Sequence, residues 1–173
     1  CTTTPLVMAL KPLHDAVGVK RVVVTTFQSV SGTGAAAMDE LLDQTRALMA
    51  FRDVKAEVYP YQIAFNLLPH IGSFSEGGEC SEEIKIVRET RKILDAPTMR
   101  VTSTTVRVPV LRCHSESINV ELDKPLSPND ARAALGLAAY VGGDLPAART
   151  VWAELRRERP DDAKVRAYLG MLD

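Results

Sequence analysis

Cysteine is scarce in this sequence, and its placement suits neither disulfides nor a metal. The three cysteines, Cys1, Cys80 and Cys113, are odd in number and far apart, with no C-x-x-C pair. A disulfide framework and a zinc knuckle are therefore not expected, no metal site is expected, and a reducing compartment is. An excess of either charge is missing too, since 21 Lys and Arg face 22 Asp and Glu for a net charge of −1. Nothing in that balance asks for nucleic acid or an acidic membrane as partner. No apolar run approaches the ~20 residues of a membrane span. The chain opens on Cys-Thr-Thr-Thr, without an initiator methionine or the basic segment of a secretory signal. The expectation is a fragment of a cytoplasmic protein.

What is present is ordinary globular material. With 173 residues, 46% apolar and 25% charged, the chain suits one domain, or one domain with a small helical appendage. Thr2 to Thr4 followed by Pro5 predict a helix start, because threonine caps well and proline fits the first turn. That helix runs to about Val17; Pro12 should bend or divide it, and Gly18 closes it. Val22 to Phe27 is a β-branched run that reads as a buried strand. Ser31-Gly-Thr-Gly34 breaks it, Ala35 to Met49 has helical spacing, and Val54 to Tyr59 alternates like a strand. A long irregular stretch from Pro60 to Gly78 carries an apolar patch at Ile63, Phe65 and Leu67.

Ser81 can cap the next helix, with Glu82 and Glu83 at its positive end and Arg88, Arg91 and Lys92 further along. Val101 to Leu111 reads as a strand with Val106, Val108 and Val110 on one face and Arg107 on the other. Pro109 makes it an edge strand or a bulged one. Ile118, Val120 and Leu122 alternate in a further strand. No regular βαβ rhythm emerges, so the expected class is α+β, a mixed and mainly antiparallel sheet flanked by helices. A boundary is expected near residue 130, giving a domain of residues 1–130 and a tail of 131–173. In the tail Leu135-Gly136 recurs as Leu169-Gly170, 34 positions later. That is the tetratricopeptide period, and Tyr140, Ala147, Trp152 and Pro160 are compatible with its pattern. An ordinary helical hairpin accounts for the same residues.

Cys1 precedes a threonine-rich helix start, where a thiol pKa is lowered and a thiolate becomes a credible nucleophile; a small buried residue is the plainer reading. Arg107 and His114 lie near a strand end, and the polar run Ser115-Glu-Ser117 could orient the imidazole. Glu82 and Lys85 share a helical face, by default as a solvated ion pair. Gln28 ends the valine-rich strand. Ser31-Gly-Thr-Gly34 could approach a phosphate through its N–H groups but is too short for a dinucleotide fingerprint. Residue chemistry alone does not separate a thiol hydrolase from an acylating dehydrogenase.

Five phrases occur together: Cys1-Thr-Thr-Thr with Ala9-Leu-Lys-Pro-Leu-His14; Arg21-Val-Val-Val-Thr-Thr-Phe-Gln-Ser-Val-Ser-Gly32; Tyr61-Gln-Ile-Ala-Phe-Asn66; Glu89-Thr-Arg-Lys-Ile93; and Arg107-Val-Pro-Val110 with His114-Ser-Glu-Ser117. In order and spacing they resemble the aspartate-β-semialdehyde dehydrogenase family, over residues 1 to about 134. The resemblance implies the catalytic and dimerisation half of an NADPH-dependent oxidoreductase. That enzyme converts L-aspartyl-4-phosphate to L-aspartate-4-semialdehyde and phosphate, for lysine, threonine and methionine synthesis. It implies Cys1 as the nucleophile that forms a thioester, His114 as acid/base and Gln28 as the residue orienting the intermediate. Arg107 would grip the substrate carboxylate, Glu82 would face its ammonium, and Lys85 would lie near the phosphate. Ser31 and Gly32 would meet the NADP cofactor, and the sheet would form a homodimer interface.

Three family features are missing from the sequence: the N-terminal dinucleotide-binding domain, an arginine used on the substrate phosphate, and the usual C-terminal segment, replaced by the tetratricopeptide-like tail. The isolated chain is therefore expected to lack appreciable dehydrogenase activity. Two other readings stand beside this one. The chain could be a truncated fusion whose tail binds a protein partner, or an unrelated thiol acyl-transferase or hydrolase.

Overall fold

The structure is a computed structural model that describes residues 2–172. The first helix, α1 (Thr3–Val17), continues through Pro12 without dividing. Gly18 ends it in the left-handed region at φ 79, a conformation that favours glycine. Strand β1 (Val19–Gln28) follows, with Val22, Val24, Thr26 and Gln28 buried on one face. It lies at the centre of a three-stranded sheet of order β2-β1-β3.

Strand β2 (Arg100–Arg107) runs parallel to β1, in register from Arg21 opposite Arg100 to Gln28 opposite Arg107. On the other side lies β3 (Ser115–Leu122). The Asp123 N–H just beyond β3 donates to the carbonyl of Gly18 just before β1 at 3.1 Å. These two strands therefore run antiparallel. The sheet is mixed and flanked by helices, as the α+β reading expected.

Three expectations need correction. Val54 to Tyr59 forms no strand. Its backbone donors are taken by a side chain instead: the N–H groups of Glu57, Val58 and Tyr59 all donate to the Glu40 carboxylate of α2 (Ala35–Met49). Gln44, one turn on, donates to the Lys55 carbonyl at 2.8 Å and accepts from the N–H groups of Ile63 and Ala64. Strand β2 stops at Arg107, short of Leu111, and Val110 N–H turns back onto the Val108 carbonyl at 2.8 Å around Pro109. Its buried face holds Val101, Thr105 and Arg107, while Val106 lies opposite and is only half-buried. Finally, α3 (Ser81–Ile93) is capped by Cys80, whose N–H donates to Glu83 at 2.9 Å. Ser81 is the first helical residue, and its hydroxyl accepts from Ser73 N–H.

The described chain divides into two compact units. One comprises the first residues through Leu6 with Arg21–Val120, and the other Val7–Lys20 with the residues from Glu121 onward. In the first, Val30, Ala37, Leu41, Tyr59, Ile63, Ala64 and Leu68 form a core between α2 and the irregular segment that follows it. In the second, α4 (Pro128–Val141), α5 (Leu145–Glu158) and α6 (Ala163–Gly170) are N-capped by Ser127, Asp144 and Asp162.

Those helices close around Trp152, which is wholly buried and stacks on Tyr168 at 5.0 Å between ring centroids. Gly136 of α4 makes this approach feasible, because a Cβ there would lie 2.4 Å from Trp152 Nε1. Gly136→Ala should therefore cost about 1–3 kcal/mol through overpacking. Gly170→Ala, with open space around it, should be neutral or stabilising by up to about 1 kcal/mol. Urea unfolding of the two variants beside the parent checks this; equal midpoints would remove Gly136 from the packing argument.

Candidate active site

The polar residues singled out in the sequence converge where β1 ends. Strand alternation turns Gln28 inward, where it is 3% exposed. Its amide donates to Thr2 Oγ1 at 2.8 Å and to Thr26 Oγ1 at 3.2 Å. Thr2 in turn donates to Glu82 Oε1 at 3.1 Å, and the other Glu82 oxygen lies 2.6 Å from Lys85 Nζ. The expected surface ion pair is thus only half solvated: the Lys85 side chain is 40% exposed and that of Glu82 only 15%. Burial alone would raise the Glu82 pKa. The Lys85 ammonium and the hydrogen bonds from Thr2 and Gln28 outweigh it and hold the carboxyl below its ordinary range.

Ser29, the next residue, organises the second half of the site. Its N–H donates to His114 Nδ1 at 3.0 Å, and its hydroxyl lies 3.2 Å from the same nitrogen and 3.0 Å from Ser31 Oγ. Its carbonyl accepts from Arg107 Nη1 at 2.7 Å. One buried residue thereby fixes both an imidazole and a guanidinium. The expectation that Ser115-Glu-Ser117 would orient His114 is corrected. Ser115 and Ser117 lie on the exposed face of β3, and both carboxylate oxygens of Glu116 are buried without a hydrogen-bond partner. That burial raises the Glu116 pKa.

Because Nδ1 accepts an amide hydrogen, the neutral His114 ring carries its proton on Nε2. Burial, aided by the charge of Arg107, lowers its pKa and favours that neutral form. Gly32 lies in a 3-10 turn (Val30–Thr33) beside both groups. A Cβ there would sit 3.5 Å from Arg107 Nη1 and 3.8 Å from His114 Nε2. The bare glycine leaves that side of the imidazole open. Arg107 is 7% exposed, its Nε has no hydrogen-bond partner, and its guanidinium carbon lies 5.9 Å from the Tyr59 ring centroid.

The candidates thus form two groups: Gln28, Glu82 and Lys85 joined through Thr2, and Arg107, His114, Ser31 and Gly32 gathered around Ser29. Cys1 lies outside the described residues. A carboxylate and an ammonium from α3, a guanidinium from the end of β2 and an imidazole just before β3 can together hold a small zwitterion and donate a hydrogen bond to it. Among the described residues no cluster of His, Cys, Asp and Glu could hold a metal ion, and no helix is long and apolar enough to cross a membrane. Sequence reading missed Thr2, Ser29 and Tyr59 as site residues. Thr2 carried a signal only as a helix cap, and Ser29 none beyond following Gln28.

Comparison with known proteins gives this cluster its context. The family model "Semialdehyde dehydrogenase, dimerisation domain" matches residues 10–168. The chain belongs to that family. It is 51% identical over 141 residues to an aspartate-semialdehyde dehydrogenase of Legionella pneumophila, covering 82% of this chain and 41% of that protein. The corresponding figures for the Aquifex aeolicus protein of that name are 49% over 142 residues, 82% and 42%. The chain thus spans about two-fifths of the length of these curated relatives. Among solved structures, aspartate semialdehyde dehydrogenase II from Vibrio cholerae matches with a TM-score of 0.76 and 42% identity, over 78% of this chain and 40% of that one. The same enzyme complexed with ASA gives 0.75 and 42%, over 77% and 40%. A Candida albicans aspartate semialdehyde dehydrogenase with NADP gives 0.52 and 25%, over 78% and 33%.

The Glu82–Lys85 pair yields a prediction with a definite sign. A carboxyl depressed in the folded state contributes stability above its unfolded pKa, and this is lost as pH falls through the folded value. In Lys85→Met the Glu82 carboxyl should titrate at higher pH than in the parent, followed by NMR of side-chain carboxyl carbons. An unchanged Glu82 titration would show that Lys85 is not what holds it down.

Proposed function

We propose that this chain is the acyl-transfer half of an aspartate-semialdehyde dehydrogenase. The whole protein would convert L-aspartyl-4-phosphate to L-aspartate-4-semialdehyde and phosphate in the cytoplasm, on the route to lysine, threonine and methionine. The observation that carries the reading is the complementary charge at the end of β1. Glu82 offers a carboxylate for an ammonium, and Arg107 a buried guanidinium, with an unpartnered Nε, for a carboxylate. An amino-acid substrate has both groups on one carbon. Fixing them orients the side-chain carbonyl for attack.

In this reading the Cys1 thiolate attacks the acyl phosphate, forms a thioester and expels phosphate near Lys85. Gln28, held between Thr2 and Thr26, orients the acyl group. His114 donates from Nε2 to the carbonyl oxygen as it gains charge. Taking up the thiol proton would need the other tautomer, with Ser29 Oγ at 3.2 Å as acceptor for Nδ1–H. Bound NADPH would supply the hydride. The present residues fit only its reacting end: Ser31 and Gly32 form a small turn beside His114, and a glycine next to the imidazole gives a flat ring room to approach.

A homodimer through the open face of the sheet belongs to the same proposal. On that face Thr25 of β1 is half-buried and Phe27 is 38% exposed, while Thr102 and Thr104 of β2 are exposed. A β-branched and aromatic sheet face left uncovered is what a second copy would bury.

The test is NADP-dependent oxidation of L-aspartate semialdehyde by the full-length protein. Turnover should require phosphate, fall by about 10³-fold or more in Cys1→Ala, and show a KM raised about 10- to 100-fold in Arg107→Lys. Absence of phosphate-dependent turnover in the full-length parent would overturn the proposal. Residues 1–173 alone should not sustain turnover under the same assay, and robust activity from them would show that they hold the cofactor unaided.

A further inference from the structure

We infer that Tyr59 is a positioning residue that couples the carboxylate clamp to the cofactor-side turn, an inference that rests on the function proposed above. Tyr59 lies outside every phrase that carries the family resemblance. Tyr59 is 8% exposed and packs in the core with Val30, Ala37, Leu41 and Ile63. On one side the Arg107 guanidinium carbon stands 5.9 Å from the ring centroid, within cation–π reach. At its far end the hydroxyl donates to Thr33 Oγ1 at 2.9 Å and lies 3.5 Å from the Val30 carbonyl. These two residues bound the turn that contains Ser31 and Gly32.

Arg107 needs such a support. Its hydrogen-bond partner among the described residues is a neutral carbonyl, that of Ser29, and its Nε has none. One hydrogen bond leaves a long side chain free to rotate about the remaining bonds. An aromatic face restricts the guanidinium plane while leaving its outer edge free for a carboxylate. Tyr59 is itself held from behind, because its N–H and those of Glu57 and Val58 all donate to the Glu40 carboxylate. A helix side chain thus fixes the loop, the loop fixes the ring, and the ring meets both the guanidinium and the turn.

The test uses the full-length enzyme with two variants and two aldehydes. Tyr59→Met removes the ring face but keeps an apolar side chain. Tyr59→Phe keeps the ring and removes only the hydroxyl, so it should fold as the parent does. In Tyr59→Met, kcat/KM for L-aspartate semialdehyde should fall on the order of 10-fold, mainly through KM. A short aliphatic aldehyde without the α-carboxylate should change by less than about 2-fold. Tyr59→Phe should leave the KM for the amino-acid aldehyde unchanged and raise the NADP dissociation constant, measured by calorimetry without aldehyde, by about 3- to 10-fold, the loss of one hydrogen bond. Equal losses for both aldehydes in Tyr59→Met would reduce Tyr59 to a core residue and overturn the coupling. So would a Tyr59→Phe variant with an unaltered dissociation constant for NADP. A parent enzyme that turns over neither aldehyde would instead overturn the underlying functional reading.

Discussion

The site depends on how β1 ends. Residues 28 and 29 are consecutive, the first the last residue of the strand and the second just beyond it, and each serves a different part of the site. The Gln28 side chain reaches Thr2 and, through it, the Glu82–Lys85 pair. Ser29 uses its N–H on His114 and its carbonyl on Arg107. Both of those backbone groups are free because β1 stops there; one residue earlier, the Gln28 carbonyl is already taken by Val108 N–H. A strand that ended two residues later would spend the Ser29 donor and acceptor on a ladder. The imidazole and guanidinium would then lose their common anchor.

The electrostatics are unbalanced in a way that packing alone would not favour. A guanidinium at 7% exposure with a neutral carbonyl for a partner carries an uncompensated desolvation cost. Glu82 differs, since Lys85, Thr2 and Gln28 together more than offset its burial. The chain therefore keeps its acidic site residue ionised with partners that leave acceptor positions for a further ammonium, and gives the basic one only a neutral partner. Such asymmetry is tolerable where an anion from outside completes the pair, and it is the physical reason for reading Arg107 as a ligand-facing group.

Much of the architecture was legible because periodicity and turn chemistry agree in these segments. The valine run gave β1, the Ala35–Met49 spacing gave α2 to the residue, and Gly18 closes α1 as expected. The false strand at Val54 to Tyr59 fails for a reason local patterns do not contain: Glu40, 17 positions away from Glu57, captures its donors. Gln28, Glu82, Arg107 and His114 were identified through a family resemblance, and the structure brings them together. Ser29 and Tyr59 act through backbone groups and a ring face, and residue type does not announce either. The orientation of His114 was assigned to its sequence neighbours because chain proximity was the available cue. Alternation in β3 instead sends Ser115 and Ser117 outward, and the partner is Ser29, just past the end of β1.

The anchoring of His114 also limits the chemistry it can do. An imidazole whose Nδ1 faces an amide donor pays a penalty to become protonated there, since two hydrogens would then point at one another. Burial and the charge of Arg107 act in the same direction, and all three favour the neutral ring. Its available nitrogen is then Nε2, as a hydrogen-bond donor, on the side left open by Gly32. A group so held stabilises negative charge on a carbonyl oxygen without reorganising, which is where preorganised donors are worth most. Proton abstraction would first have to break the bond to Ser29 N–H. In its resting form the imidazole is thus a hydrogen-bond donor through Nε2, and protonation at Nδ1 comes with a cost that the Ser29 hydroxyl, as alternative acceptor, can only partly offset.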